Sequence, residues 1–126
     1  MKIRIAHNSI RFRLKQPEVI NFKKTGIIKE ELEFGPDEDD QIIFCLKQFD
    51  GKELMIEKEK NKIIVSIPEG LFAQWTGSDL IGLEGEHNTD NGKTISVLIE
   101  KDFACLDATE EENAGSYPNP LLNCYP

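Results

Sequence analysis

Histidine, cysteine and long apolar runs are all scarce in this sequence, and each scarcity narrows what the chain is. Two histidines, His7 and His87, and three cysteines, Cys45, Cys105 and Cys124, stand at long, irregular spacings. They offer no ligand pair with zinc spacing and no even-numbered disulfide framework, so reduced thiols are expected. No apolar run approaches the roughly 18 to 20 residues of a membrane span, and residues 2–5 alternate Lys, Ile, Arg, Ile in place of the apolar core of a signal peptide. The expectation is a cytoplasmic protein with no membrane partner. A phosphate-cradling glycine loop is missing, and neither Asp37 to Asp40 nor the turn around Asp90 has the spaced oxygens and distal glutamate of a calcium hand. No metal and no cofactor is expected.

What the chain has is enough for one domain. Its 126 residues are 39% hydrophobic and 30% charged, sufficient for a core without staples and far from the disordered class. The net charge of -8 is unevenly spread. Residues 1–24 hold seven Lys or Arg against Glu18 alone, about +6, so the remainder carries about -14. A local cationic face can bind phosphate if it is separated from the acidic surface, although the whole protein is repelled by bulk nucleic acid.

Period-two alternation marks the strands. Ile3 and Ile5 alternate with Lys2 and Arg4, the pair His7-Asn8 turns, and Ile10, Phe12 and Leu14 alternate with Arg11 and Arg13. Pro17 opens a short helix that carries Val19 and Phe22 and stops at Gly26. Ile28, Leu32 and Phe34 then fit a third strand, Gly35 to Asp40 a turn, and Ile42, Phe44 and Leu46 a fourth strand. Asp50-Gly51 divides the chain, after which the order repeats. Leu54 and Ile56, then Ile63, Val65 and Ile67, form two strands around Asn61-Lys62, and Pro68 opens a helix carrying Phe72 and Trp75. Leu80 to Leu83, a polar turn from His87 to Gly92, and the strand Ile95, Val97 and Ile99 complete the second set, with Glu100-Lys101 read as a charged strand-end turn.

Each half therefore reads as β-β-α-β-β, with repeats at about 2–49 and 54–100. Two copies at a spacing of about 53 residues suit a single core with pseudo-twofold symmetry. The fold class expected is mainly β: a single-domain barrel over residues 1–106, its eight short strands closing on one another to protect their edges, with two short helices. Residues 107–126 read as an acidic, proline-containing C-terminal tail around Glu110-Glu111-Glu112, with Tyr117, Leu121, Leu122 and Tyr125 as candidate anchors.

The run Arg4 to Lys15 resembles the first hairpin of the AbrB/MazE-type swapped-hairpin domains. That hairpin consists of a basic strand, a Gly-Asn-Ser turn and a strand ending Arg-Ile-Pro before a short helix. Here Asn8-Ser9 is intact, Arg13 stands at the arginine, Leu14 replaces isoleucine, Lys15 replaces proline, and His7 takes the place of glycine. The second copy keeps Asn61, has Ile67-Pro68 at the Ile-Pro position, and its Thr76-Gly77-Ser78-Asp79 resembles the Gly-Asp turn before the third strand. In such domains two chains interlace into one barrel, so the resemblance implies that a duplicated chain makes the barrel alone. It also implies binding of DNA through the basic first hairpin, and of a toxin in members that serve as antitoxins. By position Arg4 and Arg13 match the basic residues, and Lys2, Arg11 and Lys15 add charge nearby. The whole chain is also similar to a small bacterial family of unknown function. At the second copy's matching positions stand Glu57 and Ser66, which leaves half of a symmetric DNA reader.

Other candidates have plainer readings. His7 and His87 are expected as polar turn residues, Cys105 as a small buried thiol, and Trp75 as packing beside Phe72. No catalytic residue is assigned. The expected role is a non-enzymatic binding or interaction protein whose partner is DNA or a protein, with Lys2, Arg4, Arg11, Arg13 and Lys15 as nucleic-acid-binding candidates. The alternative is a small-ligand binder or enzyme using Cys105 and the stretch Glu100 to Asp107. The oligomeric state is left open between monomer and homodimer.

Overall fold

The computed structural model describes residues 1–103 and 114–118. Two hairpins and a helix make up each half of the chain. The first half comprises β1 (Lys2–Ala6), β2 (Ser9–Leu14), α1 (Gln16–Thr25), β3 (Ile27–Glu33) and β4 (Gln41–Phe49). The second comprises β5 (Met55–Glu59), β6 (Lys62–Pro68), α2 (Glu69–Gly77), β7 (Gly82–Asn88) and β8 (Thr94–Lys101). Pro17 sits in the first turn of α1, where its missing N–H costs nothing, and the Lys15 amide donates to the Glu18 carboxylate at 2.9 Å. Gly26 ends the helix in the left-handed region, φ 74°, with its N–H donating to the Phe22 carbonyl at 2.7 Å.

The strands form two four-stranded sheets, ordered β1-β2-β8-β7 and β3-β4-β6-β5. Each sheet takes one antiparallel hairpin from each half of the chain and joins them through a parallel central pair, β2 with β8 and β4 with β6. Parallel neighbours cannot be joined by a tight turn: both helices, the whole second sheet and β7 lie between β2 and β8 in sequence, whereas β4 and β6 are separated by β5, the outer strand of their own sheet. Shifting the β1–β2 register by 53 positions reproduces that of β5–β6, so that Lys2 opposite Arg13 becomes Met55 opposite Ser66. Moving one strand forward and its partner back by the same step turns Ile10 opposite Val97 into Ile63 opposite Phe44. The correspondence slips where residues 78–81 stand in place of the single Gly26 between helix and strand.

The core lies between the sheets and under the helices. Phe12, Leu14, Val65, Ile67, Leu46 and Ile99 are fully buried from the strands, together with Phe22 and Trp75 from the helices. Phe22 meets Phe72 edge-on at 4.7 Å and Trp75 at 6.5 Å, which locks α1 to α2. The asparagines of the two tight turns have a structural task. Asn8 Nδ2 donates to the Thr94 carbonyl at 2.9 Å, and Asn61 Nδ2 donates to the Gln41 carbonyl at 2.6 Å and the Glu38 carbonyl at 2.9 Å. Each turn is thereby tied to the start of the parallel neighbour of its hairpin. Replacing Asn61 with Ala is expected to lower stability by about 1–2 kcal/mol in a urea titration, and replacing the more exposed Asn8 by about 1 kcal/mol or less; equal and negligible effects would deny the turns this role.

The expected closed barrel does not form. Among the described residues no ladder joins the two sheets. Leu54 lies so close over Gly85 that a Cβ there would meet it at 2.8 Å, which keeps β5 and β7 from approaching as paired strands. Several expected positions also move. His87 is on β7 opposite Ile95 and not in a turn, and Glu100-Lys101 continue β8, with Lys101 buried. Ile5, Leu32 and Phe34 have the right parity for the inner face, yet remain 65%, 57% and 72% exposed because the opposing sheet does not reach them. Residues 114–118 are held on the domain: the Gly115 carbonyl accepts from the Gln16 amide at 2.9 Å, and the Tyr117 amide donates to the Asp102 carbonyl at 2.7 Å. Cys105, Asp107, Glu110 to Glu112, Leu121, Leu122, Cys124 and Tyr125 lie outside the described residues. No described helix is long and apolar enough to cross a membrane.

Candidate functional site

Strand alternation places the basic residues of the first hairpin together. With Ile10, Phe12 and Leu14 turned to the core, Arg11 and Arg13 face outward, and antiparallel pairing sets Arg4 opposite Arg11 and Lys2 opposite Arg13. Four cations thus share one patch on the outer face of the first sheet. Lys15 lies beyond it, at the entry to α1, where its Nζ donates to the Ala114 carbonyl at 2.6 Å.

The other half of the chain brings carboxylates onto the same face. Parallel pairing puts Glu100 beside Arg13, whose Nε donates to it at 2.8 Å, while the Arg11 Nε lies 3.6 Å from the same oxygen. Asp102, 5% exposed, lies 3.0 Å from the Lys2 ammonium. Arg4 is exposed and has no ion-pair partner among the described residues. On the far side of the sheet, β7 presents Glu84 and Glu86 outward, opposite Leu98 and Ser96 of β8. Sequence reasoning passed over these two residues. Their signal was the alternation in Leu83-Glu84-Gly85-Glu86, which marks a strand with an acidic outer face.

Between the two walls runs an open depression of about 630 Å³, flanked by Arg4 and Arg11 on one side and Glu84 and Glu86 on the other. Its floor includes Ser9 and Ser96, which are directly paired. At the matching positions of the second sheet stand Met55, Glu57, Ile64 and Ser66, so the hairpin's cationic patch is not repeated there; the cations of that outer face are Lys29, Lys47 and Lys62. The middle of that second outer face buries Cys45, a free thiol. Burial pushes its pKa up, against the opposing influence of Lys29, Lys47 and Lys62.

The described part of the alternative reading's region, Glu100 to Phe103, is engaged in holding the fold. Glu100 and Asp102 are paired with the hairpin cations, as above. Lys101 donates from Nζ to the Ser78 carbonyl at 2.6 Å, just past the end of α2, and sits 6.0 Å from the Trp75 ring and 5.6 Å from the Tyr117 ring. Burial lowers its pKa and Asp79 works in the opposite direction. A cavity of about 540 Å³ adjoins it, walled by Ile81, Phe103 and Tyr117. Burial also raises the Tyr117 pKa.

Two four-stranded sheets, each taking one hairpin from either half of the chain, and one outer face divided between cations and carboxylates define a small mainly β domain. The chain belongs to the family of unknown function DUF7009, whose model matches residues 1–121. No curated protein and no solved structure matches it.

Proposed function

We propose that this chain is an internally duplicated counterpart of the AbrB/MazE-type swapped-hairpin domain, spanning residues 1–106, and that it acts as a non-enzymatic binding protein through the outer face of its first sheet. The shared registers at a shift of 53 and the matched Asn8 and Asn61 ties support the duplication. The observation that carries the function is the opposition of Arg4 and Arg11 to Glu84 and Glu86 across an open depression floored by Ser9, Ser96 and Leu98. A ligand that satisfies both walls carries both signs of charge, which favours a polypeptide segment over a polyanion.

Nucleic acid is the second reading, favoured by the adjacency of Lys2, Arg4, Arg11 and Arg13 on the hairpin. It is the weaker one. Phosphate neutralisation dominates such affinities, and Glu100 and Asp102 already pair with three of the four cations. Glu84 and Glu86 add repulsion along the same face.

One double variant separates the two. Glu84→Gln with Glu86→Gln is expected to weaken binding of mixed-charge peptides selected on the wild-type face by tenfold or more, and Arg4→Ala with Arg11→Ala is expected to do the same. A nucleic-acid binder responds oppositely to the first variant, which binds more tightly at low salt, while the Ala variant weakens it and flattens the salt dependence by about one to two units of log slope. Retention of wild-type protein on DNA or RNA with that pattern would replace the polypeptide reading.

A further inference from the structure

The two flanks of the molecule differ in a way that the duplication alone would not produce. On one flank the sheets end in β5 and β7, and both edges are net acidic: Glu57 and Glu59 against Lys58 on the first, Glu84 and Glu86 on the second. On the other flank they end in β1 and β3, which come together at the start of β1, where the Met1 amino group lies 3.9 Å from Glu30. Here one edge is basic and the other acidic. β1 carries Lys2 and Arg4 and no carboxylate, and β3 carries Glu30, Glu31 and Glu33 against Lys29. Charged side chains, lysine especially, guard edge strands against strand addition, and such a guard yields only to an edge of opposite charge, which β1 and β3 offer each other.

We infer that the β1/β3 flank is the contact between two copies of this chain, with β1 of each extending the sheet that ends in β3 of the other. A twofold axis alongside this flank brings both pairs together at once, because it exchanges the basic edge for the acidic one. The faces agree as well. Pairing in antiparallel strands places Lys2 and Arg4 on the outer face of β1, and Glu31 and Glu33 on the outer face of β3, opposite Ile43 and Gln41. In the extended sheet these charges meet on one surface. The inner surface receives Ile5, Leu32, Phe34 and Ile42, which are 65%, 57%, 72% and 40% exposed in the single chain. The β5/β7 flank has only Met55 among the large exposed apolar residues of its two strands, at 43%. A copy docked there would set acid against acid. The dimer contact shares Arg4 with the proposed binding face but leaves Arg11, Glu84 and Glu86 open, so Glu31→Lys and Leu32→Asp report on self-association without touching that face.

Charge reversal with rescue tests it. Wild-type protein is expected to sediment as a dimer at tens of micromolar, while Arg4→Glu and Glu31→Lys each weaken self-association tenfold or more by setting like charges across the new strand pair. Mixing the two variants is expected to restore a dimer, since each then meets its opposite charge at both contacts. Leu32→Asp, at an exposed site, serves as a second probe and is expected to yield a folded monomer. The inference is overturned if wild-type protein stays monomeric up to a millimolar, if both reversals dimerise as tightly as wild type, or if the mixture fails to regain the dimer.

Discussion

Trp75→Ala is expected to lower the unfolding free energy by roughly 4 kcal/mol in a urea titration, the largest single loss among the packing residues of the helices. The indole is fully buried, meets Phe22 of α1, and lies beside the Lys101 ammonium. Its Nε1 donates to the Ile81 carbonyl at 2.9 Å, inside the loop that distinguishes the second half from the first. Alanine would leave a cavity where both helices and the end of β8 converge, and few neighbours there are free to collapse into it. Trp75→Phe separates packing from hydrogen bonding. It keeps most of the volume, and the Ile81 carbonyl still accepts from the Lys101 amide at 3.1 Å, so a loss of about 1–2 kcal/mol is expected. Near-equal midpoints for the alanine variant and the wild type would mean that α2 does not close the core.

How far the fold could be read from residues depends on the range of the interaction involved. Alternation in Ile10, Phe12 and Leu14 fixed which way each side chain points, and the second appearance of that pattern at Ile63, Val65 and Ile67 fixed the order of elements. Both are local properties with a period of two. The division into two sheets is not local. It depends on side chains such as Leu54 standing between edges, and no periodicity encodes that. Parity likewise says which face Ile5, Leu32 and Phe34 occupy, but not that the opposing sheet stops short of them. Their exposure is a property of the flank.

The candidate site divides in the same way. That Lys2, Arg4, Arg11 and Arg13 share a face follows from one hairpin and one turn, and so was legible. Their counterions were not. Glu100 reaches Arg13 across 87 positions of sequence, through a parallel pairing that only the swapped arrangement of hairpins creates. Lys101 is expected in a charged strand-end turn, yet the strand continues through it, and its ammonium finds the Ser78 carbonyl and two rings. A charged residue in the last position of a strand gives no sign of whether a helix end waits beside it.

Phe12→Ala tests whether the first hairpin is anchored as its alternation requires. The ring is fully buried, opposite Ile3 on β1 and Ile99 on β8, so it contributes to the core from the centre of three adjacent strands. Truncation is expected to cost roughly 3–5 kcal/mol, the removed area plus the cavity that remains. The residue at the matching place in the second hairpin is Val65, also fully buried, where alanine deletes fewer carbons and is expected to cost about 2 kcal/mol. Arg4→Ala, on the opposite face of the same hairpin and without an ion-pair partner among the described residues, is expected to change stability by no more than about 0.5 kcal/mol. The informative result is the order of the three. If Arg4→Ala proves as costly as Phe12→Ala, the basic residues are part of what holds the hairpin in place, and their availability to a partner is lost with it.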